Sequence, residues 1–235
     1  MRKMLGKFVV FEGIDGAGCG TQSELLFNFF KKEKIPVEKL IYPDYSGPIG
    51  KLIHQFLHKK YEFSPKIQFL LYFLDFLKDK EKIRRWQKER RFTISDRYFT
   101  STLAYQCQKG FPLKDALKIA KIFELPKPDL IIYLKVSPKT SVKRKFKEKK
   151  NLDRHEADKK FLEKVSNFYK KLIENQIFSK WIVVDGEKNI AEVFNKVKSN
   201  IVDPFLYKKG VQPPKNTKES LAKATRLKAR ARLCS

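Results

Sequence analysis

Short apolar runs alternate with segments of helical periodicity along the chain. The runs begin at Phe8, Val37, Phe92, Leu130 and Trp181. They are rich in Val, Ile, Leu and Phe, which predicts strands buried on both faces. Between the runs, apolar residues recur three and four positions apart, which predicts amphipathic helices. The alternation predicts a three-layer α/β domain, with a five-stranded, mainly parallel sheet flanked by helices.

The first apolar run leads into a glycine-rich turn. Residues 11–22 read F-E-G-I-D-G-A-G-C-G-T-Q. Glycines allow successive backbone N–H groups to converge on one anion, and a helix starting near Gly20 directs the positive end of its dipole there. We therefore predict a phosphate-binding loop rather than a plain turn. Its candidate residues are Gly13, Gly16, Ala17, Gly18, Cys19, Gly20 and Thr21.

The loop has the spacing G-x-x-x-x-G-K-[ST], but Cys19 replaces the lysine and Gly20 replaces the hydroxyl residue. The missing side chains are those that reach the β- and γ-phosphates and Mg²⁺. By analogy with the loss of one oxyanion donor, losing the lysine predicts turnover lower by roughly 10²- to 10³-fold. Later lysines could supply a replacement charge, namely Lys145, Lys147, Lys149 or Lys150.

The sequence leaves two interpretations of Cys19 open. A thiol at a helix N-terminus can have a lowered pKa and be reactive. Alternatively, Cys19 is a small buried residue that fills the place of the lysine.

The third apolar run ends in Asp96 and Arg97. Open α/β sheets bind ligands at the carboxyl ends of their strands, so this pair predicts a site rather than a surface ion pair. An arginine fork suits phosphate, and a carboxylate can orient Mg²⁺ or a hydroxyl group. Tyr105 and Gln106 follow on a predicted helix, where a ring can stack on a base and an amide can bind its edge.

Two basic segments follow. The segment from Lys143 to Arg154 is too charged for a core, and behind a phosphate loop it predicts a lid over phosphates, about residues 143–156, rather than a solvated helix face. From Lys208 onward, Gly210 and two prolines break the periodicity. We therefore predict a domain over residues 1–207 and a basic, flexible tail over residues 208–235.

The composition narrows the classes of partner. Fifty-two Lys and Arg residues against 26 Asp and Glu give a net charge of +26, which predicts non-specific binding of polyanions. No signature of a sequence-specific nucleic-acid reader accompanies this charge.

The sequence shows no apolar run of membrane-span length and no signal peptide. Its three widely spaced cysteines suit neither a disulfide framework nor a zinc site. We therefore predict a cytoplasmic protein without membrane contact.

Several motifs in order resemble those of thymidylate kinases, which are P-loop nucleoside-monophosphate kinases. They include F-E-G-I-D-G-A-G, Y-P-D-Y-S-G-P-I-G, S-D-R-Y-F-T-S-T-L-A-Y-Q and L-D-R-H-E, and the resemblance runs through most of residues 7–201. It implies ATP-dependent phosphorylation of dTMP to dTDP with Mg²⁺, in a homodimer. The degenerate loop leaves two alternatives open: a catalytically impaired nucleotide-binding homologue, or a kinase for another nucleoside monophosphate.

The resemblance also implies roles for individual residues. Asp15 faces the 3′-hydroxyl of the acceptor sugar, and Arg97 holds the acceptor phosphate. Asp96 positions Mg²⁺, with an indirect contribution from Thr21. Arg144 and Arg154 supply lid cations for the transferred phosphoryl group. The implied acceptor-binding positions are Tyr45, Tyr72, Phe76, Arg97, Ser101, Tyr105 and Gln106; Tyr72 stacks on thymine, whereas Tyr45 and Phe76 stand where many members have arginines.

Overall fold

A computed structural model describes residues 6–148 and 158–206 of the chain. Its single described sheet has five strands: β1 (Phe8–Glu12), β2 (Val37–Ile41), β3 (Phe92–Asp96), β4 (Leu130–Lys135) and β5 (Trp181–Asp185). The strand order is β2-β3-β1-β4-β5, and all neighbouring pairs are parallel. The predicted α/β class and parallel sheet are therefore confirmed.

Helices connect the strands. They are α1 (Cys19–Lys32), α2 (Pro48–Leu57), α3 (Pro65–Leu77), α4 (Lys80–Lys88), α5 (Phe99–Thr102), a π-helix (Leu103–Cys107), α6 (Leu113–Ile122), α7 (Pro138–Glu148), α8 (Lys159–Glu174) and α9 (Ile190–Leu206). Apolar residues up to Phe76, followed by a polar segment up to Arg90, predict one long helix after Pro65, but the structure has two. The first ends at Leu77 and the second begins at Lys80; between them, the Asp79 carboxylate accepts hydrogen bonds from Tyr42 and Lys78.

The central strand explains where the site lies. All residues of β1 are buried, which fits an apolar strand covered by helices on both faces. The chain places β2 and β3 on one side of β1 and β4 and β5 on the other. Ligands bind at such a switch point, beyond the carboxyl ends of the strands. The glycine-rich loop leaves β1 there, and the register that pairs Phe11 with Asp96 brings the end of β3 beside it.

Contacts along the chain define one compact unit from Met1 to Val197 and a second from Lys198 onward. The division falls inside α9. The predicted boundary at residue 207 and the predicted tail lie outside the described residues, as do residues 149–156 of the predicted lid. Across residues 6–148 and 158–206, the helices are too short or too polar to span a membrane.

Candidate active site

The glycine-rich loop forms the wall of a cavity of about 250 Å³ at the N-terminus of α1. Residues 14–21 line it, together with Asp96, Arg97 and Lys145. Gly16 has a φ of +78°, and a Cβ there would lie 2.7 Å from the carbonyl oxygen of Ser141, so both conformation and space require glycine. The start of α1 has no side-chain cap, which leaves its first N–H groups available to an anion.

A second cavity, of about 350 Å³, adjoins the first. It contains most of the predicted acceptor-binding residues, namely Tyr45, Tyr72, Arg97, Ser101, Tyr105 and Gln106. The residues that line both cavities are Asp15, Asp96, Arg97 and Lys145. The two compartments therefore meet at two carboxylates and two cations.

Asp15, Arg97 and Tyr105 form a hydrogen-bonded group at this junction. Arg97 Nη2 donates to Asp15 Oδ1 at 2.6 Å, and Tyr105 Oη donates to Asp15 Oδ2 at 2.8 Å. Arg97 Nη1 also donates to the carbonyl oxygen of Gly13 at 2.9 Å and to Ser101 Oγ at 3.2 Å. These bonds fix the plane of the guanidinium group and join the loop to the acceptor cavity.

The backbone of Arg97 adopts the left-handed conformation, with a φ of +65°. This conformation costs a non-glycine residue on the order of 1–2 kcal/mol. Two hydrogen bonds hold it: Arg97 N donates to the carbonyl oxygen of Phe11 at 2.9 Å, and Ser95 Oγ donates to the carbonyl oxygen of Arg97 at 2.5 Å. Strain of this kind concentrates at functional positions, and here it turns the side chain toward both cavities.

Asp96 lies beside the start of α1. A Cβ on Gly20 would lie 3.0 Å from Asp96 Oδ2, so the glycine makes room for this carboxylate. Burial raises the pKa of Asp96, whereas the charges of Arg97, Lys39 and Lys145 lower it. Gly20 stands where the loop motif has a hydroxyl residue. Its lack of a side chain allows Asp96, the residue expected to position Mg²⁺, to lie close to the start of α1.

Glu12 is a site residue that the sequence analysis missed. It is fully buried at the end of β1 and accepts hydrogen bonds from the backbone N–H groups of Tyr98 and Ser101, at 3.1 and 3.0 Å. The hydroxyl groups of Thr100, Ser101 and Tyr169 also donate to it, at 2.7, 2.5 and 2.7 Å. Burial raises its pKa despite these donors. Glu12 therefore fixes the segment that carries the acceptor-binding residues.

The lining of the acceptor cavity includes two residues with buried polar atoms that have no hydrogen-bond partner. Gln106 Nε2 and Thr102 Oγ1 belong to side chains that are each 1% exposed, and both residues line the cavity. Buried polar atoms are normally satisfied, so this pair indicates a ligand with matching polar atoms. The π-helix follows directly after Thr102 and carries Tyr105 and Gln106, and such helices are frequent at functional sites.

Other predicted site residues lie apart from the cavities. Phe76 is 1% exposed and packs edge-on against Tyr42, with ring centroids 4.9 Å apart; it is not among the residues that line the acceptor cavity. Its spacing from the buried Phe69 and Phe73 could have indicated this position. Arg144 donates to the carbonyl oxygens of Ala17 and Gly186, at 3.5 and 2.8 Å, and supports the loop from outside. Arg154 lies outside the described residues.

Cys19 lines the loop cavity but is only 6% exposed. Burial also raises the pKa of its thiol well above the ordinary value, which favours the packing interpretation over the reactive thiol. Its Sγ would lie 3.2 Å from a Cβ on Gly13. Cys19 is therefore a neutral packing residue in this structure.

The described residues contain no cluster of three or more acidic, His or Cys side chains that could hold a metal ion. Asp96 and Thr21 nevertheless both line the loop cavity. Mg²⁺ typically binds through one or two carboxylates, several waters and substrate phosphates. The residues present therefore fit a magnesium ion that arrives with a nucleotide.

Comparisons with known proteins agree with this geometry. The thymidylate kinase family model matches residues 11–197. A thymidylate kinase of Dictyostelium discoideum is 30% identical over 196 residues, which cover 83% of this chain and 84% of that protein. A probable thymidylate kinase of Methanobrevibacter smithii is 35% identical over 200 residues, covering 85% and 95%. A solved structure of thymidylate kinase from Candida albicans has the same fold, with a TM-score of 0.69 and 24% identity over 87% of this chain and 94% of that one. This chain therefore belongs to the thymidylate kinase family, a family of nucleoside-monophosphate kinases.

Proposed function

We propose that the protein transfers the γ-phosphoryl group of ATP to dTMP, giving dTDP and ADP. The observation that carries this proposal is the junction of the two cavities at Asp15, Asp96 and Arg97. Phosphoryl transfer depends mainly on positioning and charge stabilisation, and this junction provides both. Membership of the family, with relatives named thymidylate kinases, supports dTMP as the acceptor.

On the donor side, the loop binds the phosphates of ATP through backbone N–H groups and the N-terminus of α1. Asp96, and indirectly Thr21, would hold the Mg²⁺ that accompanies ATP. The ion offsets negative charge on the phosphate oxygens. Cys19 contributes no charge there, so we propose slower turnover than with a loop lysine.

On the acceptor side, Arg97 holds the phosphate of dTMP while Asp15 accepts a hydrogen bond from the 3′-hydroxyl group of the sugar. The bonds from Arg97 and Tyr105 hold the Asp15 carboxylate in place for this role. Tyr72 stacks on the base, and Gln106 Nε2 and Thr102 Oγ1 supply the polar contacts to its edge. Phe76, buried behind Tyr42, takes no direct part.

The proposal is tested by incubating the purified protein with ATP, Mg²⁺ and a panel of nucleoside monophosphates. We expect dTDP formation with dTMP preferred over the purine monophosphates. Turnover with another monophosphate alone would support the alternative that the protein is a kinase for that other nucleoside monophosphate. Calorimetric binding of dTMP and ATP without turnover would instead identify a catalytically impaired homologue.

We also propose a homodimer. Ile67, Leu70 and Leu74 form an apolar stripe on α3 and are 44%, 45% and 46% exposed, which suits a surface shared by two copies. Sedimentation velocity should show a dimer that the pair of changes Leu70→Glu and Leu74→Glu converts to a monomer. Ile190→Glu, at an exposed residue of α9, is the matched control. A wild-type monomer at micromolar concentration would contradict the proposal.

The basic charge supports a further proposal. The net charge of +26 favours non-specific polyanion binding, to which the basic residues of 208–235 contribute. Removing these residues should weaken retention on DNA and reduce its salt dependence; unchanged retention would contradict the role of the tail.

The free cysteines Cys19 and Cys107 fit a reducing compartment such as the cytoplasm.

A further inference from the structure

We propose that Lys145 supplies the cation that Cys19 removes from the phosphate loop, so that the charge on the transferred phosphoryl group is met from α7 rather than from the loop. This inference rests on the proposed function and adds a catalytic residue to it. It also explains how the family's chemistry can operate without the loop lysine.

The position of Lys145 follows from the way α7 is attached to the loop. Ser141 is fully buried, and its Oγ donates to the carbonyl oxygen of Asp15. Three residues later, Arg144 donates to the carbonyl oxygen of Ala17. Residues three and four positions apart share a helix face, so these two bonds set the rotation of α7 and direct the next residue, Lys145, toward the loop.

Lys145 lies where the reacting groups meet. It lines the loop cavity and the acceptor cavity, and its charge lowers the pKa of Asp96 against the larger raising effect of burial. Among the described residues, only Arg97 and Lys145 are cations that line the loop cavity. Arg97 comes from the end of β3 and contacts Asp15 and Gly13, whereas Lys145 comes from α7 and lines both cavities. Its place at the junction of the cavities makes Lys145 our candidate for the cation that meets the transferred group.

The step itself is balanced without a proton from the lysine. An oxygen of the acceptor phosphate attacks the γ-phosphorus of ATP, and the bond from that phosphorus to the β,γ-bridging oxygen breaks. The bonding electrons leave with ADP, and the acceptor becomes a diphosphate. Lys145 remains protonated and donates hydrogen bonds to oxygens whose negative charge grows or shifts during this exchange.

The test compares Lys145→Met with Lys139→Met, which removes the same charge from an exposed position on the same helix. We expect Lys145→Met to lower kcat roughly 10²- to 10³-fold with the KM for dTMP changed less than about threefold. Lys139→Met should stay within about twofold of wild type. Lys145→Arg should retain more activity than Lys145→Met, because it keeps the charge.

A rescue experiment separates relocation of the cation from general damage. Cys19→Lys returns the lysine to the loop, so it should raise kcat about tenfold or more in the Lys145→Met background and much less in wild type. Additive effects of the two changes would overturn the inference, since two cations in one role must compensate for each other.

A binding measurement keeps this inference distinct from the proposed function. Calorimetry with a non-hydrolysable ATP analogue should show about tenfold or more weaker binding to Lys145→Met than to wild type. AMP, which lacks the β- and γ-phosphates, should show no such difference. If wild type produces no dTDP, the proposed function fails while this measurement still decides about Lys145. Equal analogue affinity, or an unchanged kcat in an active enzyme, would overturn the inference.

Discussion

The two cavities of the site are built in different ways. The acceptor cavity is fixed by buried polar groups, in which Glu12 accepts five hydrogen bonds and Asp15 is held by Arg97 and Tyr105. The loop cavity relies on backbone geometry, because Cys19 and Gly20 contribute neither charge nor hydroxyl group. The acceptor cavity is therefore lined by polar side chains of the segments that form it. The loop cavity, in contrast, depends on charged side chains from the end of β3 and from α7.

This difference indicates which features of the site tolerate change. A backbone cradle keeps its shape when side chains at its edge are exchanged, and nearby elements can supply the missing charge. A buried network does not tolerate exchange in this way, because each lost partner leaves another polar group unsatisfied. We therefore expect substitutions in the acceptor cavity to have larger effects than those at the loop side chains.

Arg97→Met should have the largest effect, because Arg97 lines both the acceptor cavity and the loop cavity. The change removes the acceptor clamp and releases Asp15, and we expect kcat/KM to fall on the order of 10³-fold. Steady-state kinetics with dTMP and ATP measures it. Arg84→Met, at a partly exposed pair with Glu124, is the charge control. A loss below about tenfold would show that the clamp lies elsewhere.

Glu12→Gln tests the buried network by its pH dependence. The amide group cannot accept all five donors, so we expect a loss of about 1–3 kcal/mol in the free energy of unfolding. Burial raises the pKa of Glu12, so above its ordinary value the folded protein binds more protons than the unfolded chain, and wild-type stability falls as pH rises. The deficit of Glu12→Gln should therefore be larger at about pH 5 than at about pH 8.

Urea unfolding of both proteins at the two pH values measures this difference. Glu24→Gln is the control, because Lys39 lowers the pKa of that exposed residue and its contribution is already complete at the lower pH. A Glu12→Gln deficit that is equal at both pH values would show that the carboxyl group does not titrate differently in the folded state.

The sequence predicts the sheet better than the site. Apolar runs and glycine spacing depend on neighbouring residues, so the strands, the loop and the charged end of β3 follow from local pattern. Glu12 could not be recognised, because its partners lie between Tyr98 and Ser101 and at Tyr169, far along the chain. Lys145 could only be named among other lysines, because its position depends on how Ser141 contacts the loop. Long-range contacts of this kind are not encoded in local periodicity.

Tyr105→Phe should sharpen the comparison with a smaller effect confined to the acceptor side. It removes the bond from Tyr105 Oη to Asp15 and keeps the ring that packs against Phe161. Loss of one hydrogen bond to a charged group predicts a KM for dTMP about tenfold higher. The KM for ATP should change less than about twofold, because the loop contacts are intact. Equal increases in both constants, measured by varying each substrate in turn, would show that Asp15 couples the two cavities.

The smallest expected effect is that of an alkylating reagent on Cys19, which we expect to react slowly. Burial raises the pKa of its thiol and removes it from solvent, so little thiolate is present or accessible. Iodoacetamide should modify it at least about tenfold more slowly in the native protein than in denaturant, as followed by mass spectrometry of its peptide. Cys107, whose pKa burial raises to about 12, is an internal reference for a buried thiol. Rapid labelling of Cys19 that is suppressed by ATP would show instead that the loop presents a reactive side chain to its ligand. The loop cavity would then not rely on backbone geometry alone, and its contrast with the acceptor cavity would no longer hold.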